Sequence, residues 1–361
     1  MKIAACPRST WIFLVLSLLS LMPMVEAANK SQLSIYQHGK PVDYLPCGSS
    51  QPAARTVALM GGGLDVRDAY AWMIARMAEC KDGVSGRLGN FVVIRAGGNP
   101  SYDSYIFKQG PLASVQTVVV PNPESANDPA LDAVIRNAGA IFLTGGDQGD
   151  YYNFWKGSRL EKLISEQVKT YGIPIGGTSA GLMILSEFNY IAFPYTITSL
   201  EALNNPYKEG AVTLKRDFWT YRTPFLPLLS TVSDSHFDTR DRMGRLVTFM
   251  ARTIGDGWVS MGNARAIGVS QETALLMTYT DQANSTSNFK LFSMLVVTNP
   301  DVNGAAYLLK PTSSSALNVQ PGQPLTFTNI EVQKIQPGGA SLMYRINVNG
   351  GMLSSSTGSI Y

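Results

Sequence analysis

Short apolar runs alternate with helix-length amphipathic segments through the first two thirds of the chain. The helix-length segments cover residues 67–80, 128–137 and 152–171. The apolar runs have the length of strands and cover residues 57–60, 91–94, 115–120, 140–143 and 173–175. Fully apolar strands separated by helices are typical of a parallel sheet that is covered on both faces. The pattern therefore predicts a three-layer α/β sandwich with a mostly parallel sheet.

The sequence pattern changes after about residue 264. There, β-like runs separated by Gly, Pro and Ser replace the alternation of strand-length and helix-length segments. These runs cover residues 267–269, 274–277, 291–297, 325–332 and 343–348. We interpret the later runs as a β-rich C-terminal extension, antiparallel and packed on the main domain. A separate small β module is the alternative.

The N-terminus has the features of a secretory signal peptide. Lys2 and Arg8 precede a mostly apolar run at residues 11–22, which is too short to span a bilayer, and small residues lead up to Ala27. We expect cleavage after Ala27, a secreted or periplasmic protein, and no stable membrane anchor once the peptide is removed; an uncleaved anchor is the alternative. The predicted organisation is a signal peptide at 1–27, an N-terminal segment at 28–54, an α/β domain at 55–285 and the β-rich extension at 286–361.

Composition and charge are those of a globular protein and argue against a protein that binds nucleic acid or a metal. Hydrophobic residues make up 45% and charged residues 15% of the chain, and the formal net charge is +3. No basic run exists that would follow a phosphate backbone, so we expect no nucleic-acid partner. Cleavage would leave Cys47 and Cys80, which either form one disulfide or leave Cys80 as a core residue of a helix. With so few cysteines and two histidines, we expect no metal site, and the chemistry considered below needs no cofactor.

The sharpest local motif is Gly-Thr-Ser-Ala-Gly at residues 177–181, directly after a predicted strand. A Gly-x-Ser-x-Gly turn between a strand and a helix holds a nucleophilic serine, here Ser179, at a helix N-terminus. The free N–H groups and the dipole there favour a developing negative charge. The alternative is an ordinary glycine turn in which Ser179 caps the helix.

A serine nucleophile needs a base, and His236 is the better placed of the two histidines. His38 lies near the expected mature N-terminus, outside the alternating pattern. His236 follows a strand-like run at residues 228–232, and 57 residues separate it from Ser179, enough for a crossover that returns the chain to the same edge of the parallel sheet. A third group should orient the imidazole, and Glu187, Glu201 and Asp234 all remain open for this role.

Two further segments carry candidate binding groups. Arg240, Arg242 and Arg245 follow the histidine, on a helix that we expect to begin near residue 238, and they form either a solvated face or a site for a substrate carboxylate. Gly146 and Gln148 follow another predicted strand. There Gly146 would offer an N–H group to an oxyanion and Gln148 an amide to substrate, unless the segment is a simple turn.

These motifs together resemble the cyanophycinase family of serine peptidases. The points of likeness are Met-Gly-Gly-Gly at 60–63, Thr-Gly-Gly-Asp-Gln at 144–148, Gly-Thr-Ser-Ala-Gly at 177–181 and Asp-Ser-His-Phe at 234–237 with its arginines, within residues 55–280. The resemblance implies a fold like that of class I glutamine amidotransferases and aspartyl dipeptidases. It also implies exopeptidase cleavage of β-aspartyl-arginine links in cyanophycin, an arginine-decorated polyaspartate.

The resemblance also implies roles for individual residues. Ser179 would be the nucleophile and His236 the base, and the family's spacing favours Glu201 over Glu187 as the acidic member of the triad. The expected oxyanion donors are Gly146 and Ala180. The expected substrate-binding residues are Gln148, Asp234, Arg240, Arg242 and Arg245.

Three positions next to the expected site depart from the family pattern. Ser235 stands where the family usually has Gln, and Asp238 and Asp241 put carboxylates among the arginines. These departures bear on the identity of the substrate. The alternatives to cyanophycin cleavage are an isoaspartyl peptidase or amidase with another substrate, a catalytically idle relative that binds peptides, and, less well supported, an α/β-hydrolase esterase. We expect a peptide or a cyanophycin-like polymer as substrate, and the oligomeric state stays open, a homodimer included.

Overall fold

The computed structural model describes residues 32–43, 54–78, 88–209, 212–219, 226–281 and 289–361. The predicted signal peptide, Cys47 and Cys80 lie outside the described residues. The strands are β1 Ser34–Gly39, β2 Arg55–Met60, β3 Leu88–Arg95, β4 Leu112–Val119, β5 Ala138–Leu143, β6 Ile175–Thr178, β7 Asn189–Tyr190, β8 Leu214–Lys215, β9 Thr231–Asp234, β10 Arg265–Val269, β11 Thr273–Asp281, β12 Phe289–Thr298, β13 Ala306–Pro311, β14 Leu317–Asn318, β15 Thr326–Ile335, β16 Ser341–Asn349 and β17 Met352–Ser355. The helices are α1 Arg67–Ala78, α2 Asp103–Phe107, α3 Leu131–Arg136, α4 Gln148–Trp155, α5 Arg159–Tyr171, α6 Ala180–Ile184, α7 Ser199–Asn204 and α8 Met243–Gly255.

A mostly parallel sheet forms the centre of the fold, which confirms the predicted α/β architecture. Within the described residues this sheet has eight strands in the order β1-β4-β3-β5-β6-β2-β11-β12. The five strands from β4 to β2 are parallel to one another, while β1, β11 and β12 run antiparallel to their neighbours. Because parallel strands share one direction, the C-terminal ends of β5, β6 and β2 meet at one edge, where open α/β sheets place their sites.

Helices cover both faces of this sheet. Successive side chains of a strand point to opposite faces, and β2 shows the consequence directly. Ala58 and Met60 pack in the same core cluster as the apolar residues of α1. Val57 and Leu59 pack in the other core cluster, together with the apolar residues of α5, α6 and α8. The three-layer arrangement predicted from the apolar runs is therefore confirmed.

The strand that leads to His236 lies in a second sheet, which corrects a prediction. The sequence predicts that this strand joins the parallel sheet, but β9 pairs in parallel with β10 instead. Within the described residues the second sheet has the order β17-β16-β15-β13-β10-β9, with β14 beside β15. The physical reason is that β6 and β2 have no free edge, since β5 lies on one side of this pair and β11 on the other.

The β-rich C-terminal region is continuous with both sheets. Strands β13 and β15–β17 extend the sheet that contains β9 and β10, and β12 pairs with β11 at the edge of the first sheet. The sheets thus cross the predicted boundary between residues 285 and 286. Residues Gln32–Tyr361 form one compact unit.

The predicted long helix at residues 152–171 is in fact two helices, α4 and α5. The chain turns at Gly157, whose φ is +68°, and Ser158 then caps α5 by accepting a hydrogen bond from the Glu161 N–H group. A serine in this position offers the free N–H groups of a helix an acceptor and so favours a new start. Among the described residues, no helix combines the length and the apolar character needed to span a membrane.

Candidate active site

Ser179 lies on a strained turn between β6 and α6. Its φ and ψ are +53° and −114°, a conformation that side-chain-bearing residues rarely adopt and that is found at functional sites. The turn is so tight that a side-chain carbon on Gly177 would lie only 2.5 Å from the backbone of Gly181. The Ser179 N–H group donates to the Met60 carbonyl at 3.1 Å, which ties the turn to the end of β2. The backbone thus presents the hydroxyl at the sheet edge.

His236 follows the end of β9 and meets this hydroxyl. The distance from its Nε2 to Ser179 Oγ is 3.0 Å, within hydrogen-bonding reach. The His236 N–H group donates to the Gly61 carbonyl at 2.6 Å, so the loop after β2 bridges the two sheets at this point. A side chain on Gly62 would overlap the imidazole, and this close approach explains why the loop carries glycine there. The structure therefore brings together the two residues that the sequence singled out.

The group at the other ring nitrogen is Gln271, on the turn between β10 and β11. Gln271 Oε1 lies 3.2 Å from His236 Nδ1 and accepts a hydrogen bond from Thr239 Oγ1 at 3.1 Å. The sequence pattern predicts only that this polar turn links the β-like runs at residues 267–269 and 274–277. The position of Gln271 in the sequence could have indicated its role. A polar residue that directly follows a buried strand, next to a glycine-rich loop, is a candidate for a functional site.

The expectation that Glu201 orients the imidazole is wrong for this structure. Glu201 is the third residue of α7, where it forms a capping box with Thr198 and an ion pair with Lys208 at 2.7 Å. The hydrogen bond from Lys208 and those from the N–H and hydroxyl groups of Thr198 lower the pKa of Glu201 to about 2. The other acidic candidate, Glu187, accepts from the Ser230 N–H group at 2.5 Å. Both carboxylates are therefore engaged in holding local backbone structure.

Asp234 and Arg245 form a buried ion pair rather than a substrate-binding surface, which corrects both predictions. Arg245 donates to Asp234 through Nε at 2.6 Å and through Nη2 at 2.7 Å, and the two side chains are 4% and 0% exposed. Arg245 Nη1 also donates to Thr196 Oγ1 and to the Ile197 carbonyl. This bidentate pair leaves neither group free for a ligand.

The three arginines at 240, 242 and 245 differ in burial and in their partners, because the chain does not become helical at residue 238. The segment forms a turn up to Arg242, the N-cap residue, and α8 begins at Met243. Arg245 therefore points into the core from the helix. Arg242 is half-buried and donates from Nη1 to Asp234 and to the Ser235 carbonyl, while Arg240 lies in the exposed turn. Within the described residues, the Arg240 side chain has no recorded hydrogen bond or ion pair.

The three residues that depart from the family pattern, Ser235, Asp238 and Asp241, do not neutralise the charge of Arg240. Ser235 is buried and accepts from Arg242. Asp238 accepts from the following N–H group, and Asp241 accepts from the Tyr361 hydroxyl at 2.9 Å. In the part of the chain that the structure describes, neither carboxylate pairs with an arginine.

The loop after β5 borders the serine. A side-chain carbon on Gly145 would lie 3.8 Å from Ser179 Oγ, and the Tyr151 hydroxyl fixes the loop by donating to the Gly145 carbonyl at 3.2 Å. Gly146 follows with φ at +156° and is exposed. Ala180 is the first residue of α6, and the N–H group at that position has no acceptor within the helix.

Gln148 stands at the start of α4, beyond the same loop. The preceding residue, Asp147, caps this helix by accepting from the Gly149 N–H group at 2.7 Å. Gln148 itself is half-buried, and no hydrogen bond of its side-chain amide is recorded to any described residue. The amide is therefore free to meet a ligand.

Electrostatics favour the neutral form of the histidine. Burial lowers the pKa of His236 below its ordinary value of 6.5, the hydrogen bond to Gln271 opposes this, and the cations Arg240 and Arg242 lower the pKa further. Burial also lowers the pKa of Arg242, to about 10, so that this guanidinium stays charged at neutral pH. A neutral imidazole facing a serine hydroxyl is the state that a general base requires.

Comparison with known proteins points to a peptidase. Residues 108–204 match Peptidase family S51, a stretch that includes Gly146, Gln148 and Ser179 but ends before His236. Among solved structures, a peptidase from an acI-B1 Actinobacterium is 14% identical with a TM-score of 0.47, covering 81% of this chain and 98% of that one. A candidate peptidase E from Listeria monocytogenes EGD-e is 15% identical with a TM-score of 0.38, covering 67% and 100%. No curated protein matches the sequence. The family match supports a serine-type peptidase.

Proposed function

We propose that this chain is a secreted serine exopeptidase of the cyanophycinase type, which hydrolyses β-aspartyl-arginine or related isoaspartyl amide links. The observation that carries the proposal is the 3.0 Å distance between Ser179 Oγ and His236 Nε2 at the edge of the central sheet. Ser179 also lies on a strained turn at a helix N-terminus, which is the setting of a nucleophile in many hydrolases.

The proposed mechanism passes through an acyl-enzyme. Ser179 attacks the substrate carbonyl carbon while His236 Nε2 takes the hydroxyl proton. The oxyanion is stabilised by the N–H group of Ala180, the residue after the serine, and by that of Gly146, on the loop after β5. His236 then passes its proton to the leaving amine as the C–N bond breaks. Water, deprotonated by the same imidazole, hydrolyses the ester and restores the serine.

Substrate recognition rests on the groups that the fold leaves free near the serine. Arg240 is exposed and carries no recorded partner within the described residues. The side-chain hydrogen bonds of Arg242 to described residues all come from Nη1, which leaves the Nη2 edge of its guanidinium available there. Two arginines with free edges suit a carboxylate of the substrate, and the Gln148 amide would fix a carbonyl.

Secretion is proposed on the sequence of residues 1–27 alone. The basic start, the short apolar run and the small residues before position 28 are those of a cleavable signal peptide. Sequencing the N-terminus of protein from the culture medium or periplasm tests this, and a protein retained in the cytoplasm with its first residues intact would contradict it.

A second candidate function, peptide binding without turnover, is favoured by one observation. Within the part of the chain that the structure describes, the imidazole Nδ1 meets the neutral amide of Gln271 and no carboxylate, whereas a carboxylate normally stabilises the imidazolium that forms during attack. A chain of this kind would bind isopeptides and release them unchanged.

Product analysis by mass spectrometry distinguishes these functions. The purified protein is incubated with insoluble cyanophycin, with free β-aspartyl-arginine and with the α-linked isomer as a specificity control. We expect cleavage of a β-linked substrate by the wild type, no cleavage by Ser179→Ala, and wild-type cleavage by Ser34→Ala, a matched change on the exposed strand β1. Cleavage of the dipeptide alone would replace cyanophycin with a small isopeptide as substrate. Binding of both without cleavage would establish the second candidate.

A further inference from the structure

Gln271 is placed to decide which nitrogen of His236 carries the proton. Its Oε1 lies 3.2 Å from Nδ1, and Ser179 Oγ lies 3.0 Å from Nε2 on the opposite side of the ring. A neutral imidazole has one N–H donor and one acceptor nitrogen, and the hydrogen bond at one nitrogen sets the state of the other. An acceptor at Nδ1 therefore keeps the proton there and leaves the Nε2 lone pair facing the serine.

The surroundings of the amide favour this orientation. Thr239 Oγ1 donates to Oε1 at 3.1 Å and also lies 3.3 Å from the His236 carbonyl, whereas Nε2 of the amide borders the space that a side chain on Gly63 would fill. With the amide reversed, its NH₂ group would donate to Nδ1, the ring proton would move to the serine side, and the base would be blocked. A carboxylate cannot donate when ionised, so only an amide needs a neighbour such as Thr239 to fix its orientation.

We infer that Gln271 is the positioning residue of the site, and that it holds His236 in the productive tautomer with a neutral amide where serine hydrolases use a carboxylate. This inference rests on the proposed function for its catalytic meaning, but the tautomer itself is a property of the folded protein.

On balance, the charged groups around the imidazole do not stabilise its protonated form, so the neutral amide at Nδ1 affects how easily His236 takes up a proton. The cations of Arg240 and Arg242, on the same segment as the histidine, lower its pKa, and Asp234 is already paired with Arg245 and Arg242. The loop after β2 contributes glycine backbone and the turn between β6 and α6 contributes the Ser179 hydroxyl, neither of them charged. On the turn between β10 and β11, the Glu272 carboxylate accepts from Asn299 Nδ2. Among the described residues, the imidazolium formed during attack thus has only the amide dipole as a close partner at Nδ1. The lowered pKa of His236 agrees with this environment.

Nitrogen-15 NMR of the imidazole groups tests the inference without any substrate. The chain has only two histidines, so His38→Gln assigns both sets of signals. We expect His236 in the wild type to carry its proton on Nδ1 and to titrate below 6.5. Gln271→Leu should remove the tautomer preference. Gln271→Glu, an isosteric change that adds a charge, should raise the His236 pKa by about 1–3 units. Glu272→Gln, the matched control on the same turn, should change neither property.

Kinetics supply the second readout. Loss of the Nδ1 hydrogen bond in Gln271→Leu should lower kcat about tenfold or more with little change in KM. In Gln271→Glu the imidazole is protonated at a higher pH, so the acid limb of the rate profile should move to higher pH. A wild-type imidazole with its proton on Nε2, or a tautomer and pKa unaffected by Gln271→Leu, would overturn the inference. Failure of the proposed function looks different, since the NMR results would hold while the wild type shows no hydrolysis that depends on Ser179.

Discussion

Arg245 lies in the core and is paired with Asp234, so replacing it should lower the free energy of unfolding by a predictable amount. Arg245→Met removes both short bonds to Asp234 and leaves a fully buried carboxylate that accepts from Arg242 at 3.2 Å and from the Ser235 N–H group at 2.9 Å. Breaking a buried pair by removing one partner costs about 3–5 kcal/mol, because the remaining charge is uncompensated. Since Arg242 remains, we expect a loss near the lower end, about 3 kcal/mol in the free energy of unfolding.

Urea unfolding followed by tryptophan fluorescence measures this loss, and a double-mutant cycle isolates the pair. Asp234→Asn combined with Arg245→Met removes both members of the fully buried pair and leaves unpaired the partly exposed guanidinium of Arg242. The double variant should therefore be more stable than the two single losses predict when added, by about 1 kcal/mol or more. Arg240→Met is the matched control and should change stability by less than about 0.5 kcal/mol, since Arg240 is exposed. If Arg245→Met unfolds at the wild-type urea concentration but loses affinity for substrate, the guanidinium is a ligand for substrate and the structural assignment fails.

Three further outcomes are expected. Arg240→Gln should raise KM for a β-aspartyl substrate about tenfold with kcat nearly unchanged, because a charge-assisted hydrogen bond to the substrate carboxylate is lost; an unchanged KM would remove Arg240 from the site. Gly62→Ala should lower kcat about a hundredfold while the far-ultraviolet circular dichroism stays native, because the new methyl group overlaps the His236 imidazole and displaces it; near-wild-type turnover would contradict the packing. The acid limb of kcat/KM should lie below pH 6.5, because the lowered pKa keeps His236 unprotonated to lower pH; a limb above 6.5 would show that another group is titrating.

The central sheet and the serine turn were predictable because their signals are local. Apolar runs such as β2 and β5 mark strands buried on both faces, and Gly-x-Ser-x-Gly after β6 marks a tight turn whatever surrounds it. The sheet that β9 joins was not predictable from the run at residues 228–232. Its choice depends on β11 already occupying the free edge of β2, a contact between segments more than 200 residues apart.

The roles of the polar residues depend on backbone geometry that spacing alone does not give. Arg240 and Arg245 look alike in sequence, but a turn exposes the first and the α8 helix buries the second. Glu201 is an acceptable triad member by distance along the chain, yet Thr198 and Lys208 engage it. Gln271 carries no motif, and only the packing of its turn against the loop after β2 brings its amide to the histidine.

The most direct test of the nucleophile is the intact mass of the protein after reaction with a fluorophosphonate. The wild type should gain one phosphonyl group, Ser179→Ala none, and His236→Gln should react far more slowly, while His38→Gln, the same change on strand β1, should label like the wild type. Labelling that persists in Ser179→Ala, or a wild type that stays unlabelled under conditions that label a known serine peptidase, would contradict the account.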